Sequence, residues 1–142
     1  MNEQRAVYLV DDDPAVLRSL ARLLRAKGYR PQTFNSGREF IDEYKRDGSA
    51  CLVLDLSMPG ISGLDVQQWL LDSGDPLPTL FLTGQYEIPE EVWRRMERSA
   101  GILRKPVAAS VLVKAIEEAL KSNGDKETGI RSQRSDVRNQ MG

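Results

Sequence analysis

The chain contains no histidine. That excludes Ser-His-Asp and Cys-His catalysis, His-ligated zinc and any role as a histidine phosphocarrier. Its one cysteine, Cys51, rules out an internal disulfide framework and reads as a small buried thiol at a strand start. No apolar run approaches the roughly 20 residues needed to span a bilayer. Met1 to Arg5 lacks the apolar stretch of a signal peptide. A cytoplasmic location is therefore the expectation, with no membrane partner. Twenty Lys and Arg residues stand against 21 Asp and Glu, a net charge of −1. No bulk electrostatic pull toward nucleic acid or anionic membrane exists at that balance. The G-x-x-x-x-G-K-[ST] pattern of P-loop nucleotide enzymes is missing as well.

What is present organises around Leu52-Val53-Leu54-Asp55, followed at once by the turn Met58-Pro59-Gly60. A short apolar run that ends in a turn reads as a buried strand of a parallel sheet. Three further runs end in polar groups. Val7 to Val10 leads into Asp11-Asp12-Asp13, Thr79 to Leu82 into Thr83-Gly84, and Gly101 to Arg104 into Lys105-Pro106. Arg30 to Phe34 is a weak edge-strand candidate.

Helical patterns separate the strands. Asp13 caps the first helix with Pro14 at its first position, and Val16, Leu17, Leu20, Leu23 and Leu24 recur at helical spacing. Asn35 or Ser36 caps a second helix, which Asp47-Gly48 ends. Gly63 opens a third, with Leu64, Val66, Trp69, Leu70 and Leu71. A fourth runs from about Glu90 to Arg98. The last spans about Ala108 to Lys121, with Val111, Leu112, Ala115, Ile116, Ala119 and Leu120 as its apolar face. Five βα units in succession imply an α/β fold: a doubly wound, parallel five-stranded sheet in the flavodoxin-like order 2-1-3-4-5. The domain is expected over residues 1–121. From Ser122 to Gly142 few large apolar residues remain, so this stretch reads as a disordered tail or linker stump.

Ligands of open α/β sheets bind at the C-terminal strand ends. If the first and third strands are neighbours, Asp11, Asp12 and Asp55 crowd together. Like charges near 4 Å repel by roughly 4 kcal/mol at an effective dielectric of about 20, so one acid stays protonated or a cation joins them. Carboxylates with open positions suit Mg2+, which keeps several waters. Thr83 and Lys105 are donors that, with a metal, can hold three phosphoryl oxygens. Asp55 is then the candidate nucleophile. Lys105-Pro106 is a candidate cis peptide. Helix capping alone explains Asp13 but leaves Asp11 and Asp55 without a role.

Four motifs in order carry a resemblance: Val10-Asp11-Asp12, Asp55 with Met58-Pro59-Gly60, Thr83-Gly84 and Lys105-Pro106. They are 43, 28 and 22 residues apart, counted from Asp12 to Asp55, to Thr83 and to Lys105. Over about Arg5 to Lys121 the chain resembles the receiver domain of bacterial two-component response regulators. It is most similar to FixJ-type receivers through Asp55 to Gly63 and Leu82-Thr83-Gly84 with Ile88-Pro89.

The resemblance implies that Asp55 accepts a phosphoryl group from a sensor histidine kinase or histidine phosphotransfer protein. Asp12 ligates Mg2+ directly, Asp11 does so through water, and the Ser57 carbonyl adds a ligand. Thr83 and Lys105 bind phosphoryl oxygens and report to the fourth helix, fifth strand and fifth helix, a face also available for a homodimer. Ser57 and Gln85 tune phosphoryl lifetime, with Gln85 placed to orient an attacking water. The family's usual aromatic three residues before the lysine is Ile102 here, so the ordinary threonine–aromatic coupling cannot operate. Val92, Trp93 and Met96 form the expected partner surface, and Arg94, Arg95 and Arg98 read as solvated. The catalytic alternative is a phosphohydrolase of the haloacid dehalogenase type, which needs a second Asp where Ser57 stands. A DNA-binding output domain has no room beyond Lys121, so the chain reads as a stand-alone receiver or a fragment.

Overall fold

The computed structural model describes residues 5–46, 48–84 and 87–125, with the side chains of 122–125 excepted. Five strands, β1 (Ala6–Val10), β2 (Arg30–Phe34), β3 (Ala50–Asp55), β4 (Thr79–Thr83) and β5 (Gly101–Arg104), alternate with five helices. These are α1 (Pro14–Ala26), α2 (Gly37–Glu43), α3 (Gly63–Asp72), α4 (Glu90–Met96) and α5 (Ala109–Asp125). All strand pairs are parallel, and the order is β2-β1-β3-β4-β5, as the βα alternation implies.

Alternation along the strands divides the core in two. Tyr8, Val10, Leu52, Leu54, Phe81 and Ile102 face one layer, where Phe40, Val66, Leu70, Trp93 and Met96 of α2, α3 and α4 cover them. Val7, Leu9, Cys51, Val53, Leu80 and Leu82 face the other, under Leu17 and Leu24 of α1 and Leu112 and Ile116 of α5. Both faces of the central strands are buried, which is why those strands read as unbroken apolar runs. Cys51 is wholly buried, and burial pushes its thiol up to about 12.

Caps fix the helix starts. The Asp13 side chain accepts from the Ala15 amide, and Pro14 sits at the first helical position. Ser36, not Asn35, caps α2 by accepting from the Glu39 amide. Ser62 and Asp65 form a reciprocal capping box at α3.

Several ends differ from expectation. α2 stops at Glu43, short of Asp47-Gly48, because Tyr44 takes an extended backbone (φ −67°, ψ 134°) that sends its hydroxyl to Asp75. α4 stops at Met96, where the Ser99 hydroxyl and amide both bond the Met96 carbonyl, at 2.7 and 2.9 Å. α5 continues to Asp125, four residues past the expected boundary at Lys121; residues 126–142 of the anticipated tail lie outside the described residues. Leu71, one of the apolar residues of the third helix, and Val111, on the expected apolar face of the last, are 40% and 47% exposed. No helix among the described residues is long and apolar enough to cross a membrane.

Candidate functional site at the carboxyl ends of the strands

Register gathers the site. Val10 pairs with Leu54, so Asp11 and Asp55 follow side by side on β1 and β3. Asp55 pairs with Leu82, which sets Thr83 one residue beyond on the neighbouring strand. Thr83 pairs with Arg104, and Lys105 comes next, its amide donating to the Thr83 carbonyl at 2.8 Å. The Lys105–Pro106 peptide is cis.

One carboxylate oxygen from each of Asp11, Asp12 and Asp55 lies within 4.8 Å of the other two. Asp11 and Asp55 are buried, at 3% and 5% exposure, whereas Asp12 is open to solvent. The Lys105 ammonium reaches back to both buried acids, 3.1 Å from Asp11 Oδ2 and 3.2 Å from Asp55 Oδ1. The Asp13 amide donates to Asp11 Oδ1 at 2.9 Å. Burial pushes the Asp55 carboxyl up to about 6, and the Asp11 charge adds to the rise; Lys105 opposes both without cancelling them. Burial draws the Lys105 ammonium down, but the hydrogen bond from Lys105 to Asp11 and the Asp55 charge outweigh it, so its net shift is upward. The donor set is therefore short of positive charge by design of the register. Three oxygen donors with one solvent-facing member suit a hard divalent ion that retains water.

The floor beneath Asp55 is tight. A Cβ on Gly63 would lie 2.5 Å from the Asp55 carbonyl oxygen and 3.0 Å from Leu56 Cα, so α3 starts directly against the backbone of β3. The sequence showed Gly63 only as a helix opener; its role in close approach has no local signature. The Ser62 and Asp65 box, by contrast, has a local S-x-x-D signature just before the apolar run of α3.

The remaining expected residues fall as follows. Thr83 is buried at the end of β4. Ser57 is exposed just beyond β3. Gln85 lies outside the described residues. Ile102 is wholly buried and pairs with Phe81 in the core. The expected partner surface at Val92, Trp93 and Met96 is corrected: Met96 is fully buried, Trp93 is 8% exposed, and both belong to the core layer, with Val92 packed against it. In a two-turn helix the apolar stripe is needed to attach α4 to the sheet and is not available outside.

The model for the response regulator receiver domain matches residues 7–117. The chain belongs to the response regulator receiver family. Response regulator protein TmoT of Ectopseudomonas mendocina is 39% identical over 122 residues, 85% of this chain and 56% of TmoT. The chain thus spans about half the length of the curated relatives it matches. The structure of response regulator StyR superposes with a TM-score of 0.79 at 34% identity, covering 97% of this chain and 67% of StyR. FixJ-N gives 0.75 at 29% identity, covering 84% of this chain and 95% of FixJ-N. This receiver is a signalling domain of bacterial two-component systems rather than a classical enzyme, and the phosphohydrolase alternative is not favoured.

Proposed function

We propose that Asp55 of this receiver accepts a phosphoryl group from the phosphohistidine of a sensor kinase or phosphotransfer protein. The observation that carries the proposal is one ammonium, Lys105, held between two buried carboxylates with a third beside them. An Asp55 oxygen attacks phosphorus as the P–N bond to the donor imidazole breaks, and the imidazole leaves with a proton. Lys105 moves from carboxylate to phosphoryl oxygen, and the Thr83 hydroxyl donates to another. Asp11, Asp12, Asp55 and the Ser57 carbonyl are the residues that would hold Mg2+. That ion, when bound, offsets the negative charge gathered at the transferring group.

The product carries roughly −1.5 to −2 charge, which biases α4, β5 and α5 through Thr83 and Lys105. Because Ile102 is packed against the core opposite Phe81, the report cannot run through a swinging aromatic at that position.

Incubation with Mg2+ and acetyl phosphate, followed by intact mass, tests the reading. A single phosphoryl adduct is expected, absent in Asp55→Asn. A folded native sample that takes up nothing, or an adduct that persists in Asp55→Asn, would overturn it.

A further inference from the structure

A second concentration of like charge lies between α3 and α4. A cleft of about 210 Å³ is lined by Gln67, Gln68 and Leu71 from α3, by Arg94 and Arg95 from α4 and by Arg98 in the turn that follows α4. Acids occupy the first turn of α4 and arginines follow, an order that complements the helix dipole. Dipole complementation does not explain three guanidinium groups bordering one hollow. All three are exposed, and among the described residues none is in an ion pair.

Gln67 supplies an independent observation. It is only 7% exposed, yet its side-chain amide bonds to no described residue. Its neighbour Gln68 donates to Asp72 Oδ1 at 2.9 Å. No side-chain nitrogen or oxygen that is shut off from solvent lacks a partner among the described residues, so the Gln67 amide opens into the cleft that it lines. A side-chain amide that bonds to no described residue offers two donors and an acceptor to whatever enters.

We propose that this cleft docks a short acidic segment of a protein partner. Guanidinium groups pair with carboxylates in a planar, two-point geometry. The Gln67 amide matches the donor and acceptor of a peptide group. Leu71, 40% exposed at the rim, gives an apolar contact that a phosphate backbone would not use. Nucleic acid also calls for a longer cationic track, and the chain's net charge is −1. The inference goes beyond phosphoryl transfer and does not depend on it.

The test titrates the full chain with a fluorescein-labelled peptide of alternating glutamate and leucine, read by anisotropy. Saturable binding is expected, about tenfold or more weaker in the Arg95→Glu/Arg98→Glu double variant. It should be retained in Arg18→Glu/Arg22→Glu, which makes the same change of net charge at exposed positions of α1. The Gln67 side-chain amide resonance should shift on binding, and Gln67→Leu should weaken it while keeping a native spectrum. Equal loss in both double variants would reduce the effect to general charge attraction and overturn the proposal. Preference for duplex DNA over the peptide would overturn it too, as would self-association of the chain that depends on Arg95 and Arg98. Binding unchanged in Asp55→Asn separates this result from the fate of the phosphoacceptor reading.

Discussion

Two clusters in this receiver each combine carboxylate and cation, and they are built to opposite ends. At the C-terminal end of α2, Asp75 accepts from the Tyr44 hydroxyl at 2.7 Å, from Arg46 at 2.7 Å and from the Leu77 amide at 3.1 Å. One acid has three donors. Burial and the hydrogen bond to Asp75 both hold the Tyr44 phenol above its ordinary range, as expected of a donor fixed in place. The tyrosine ring is also locked, stacked on Phe40 at 4.7 Å and edge-on to Tyr8 at 5.1 Å. At the strand ends the ratio is reversed: two buried acids share one ammonium, and a third acid lies nearby. The first cluster is saturated and stabilises the fold. The second is left short of donors, a balance that suits a hard cation.

The contrast can be broken from the saturated side. Asp75→Ala strands three donors and is expected to cost about 2–3 kcal/mol, read as a lower urea midpoint at unchanged slope. A loss under about half a kcal/mol would mean the cluster is ornamental. From the unsaturated side, Asp55→Asn is expected to raise stability by about 1–2 kcal/mol at pH 7 without divalent metal. The sign follows from a folded pKa of about 6 against an ordinary 3.8. The folded state binds that proton more tightly, so its penalty is full above about pH 6 and fades as pH falls toward 4. The advantage of Asp55→Asn over native should shrink across that window, and Mg2+ should shrink it at pH 7 by stabilising the native site. An advantage independent of pH would place its origin elsewhere. The smallest effect is Tyr44→Phe, expected to cost about 1 kcal/mol because one neutral donor is lost while the ring packing stays.

How much of this was legible depended on range. β1, β3 and β4 and their order could be read because apolar runs buried on both faces leave a plain signal, and Asp13-Pro14 marks the start of α1 without ambiguity. The motif spacing brought Asp11, Asp12, Asp55 and Lys105 to one edge. Which acid is buried was not readable: Asp11 points in and Asp12 out because of the register with β3, a non-local fact. The fate of α4 was equally hidden. Its two turns carry apolar and charged residues in a pattern that fits either a docking face or an attached helix, and only the packing of Trp93 and Met96 against the sheet decides. The end of α2 was lost for a similar reason, since Tyr44 answers to Asp75, 31 residues away.

The close fit of Gly63 beneath the Asp55 carbonyl has a mechanical corollary. A layer without slack cannot be compressed, so crowding above Asp55 has no downward outlet. Displacement by atoms added above Asp55 is therefore expected to run sideways, toward β5 and the lysine at its end, rather than down into α3.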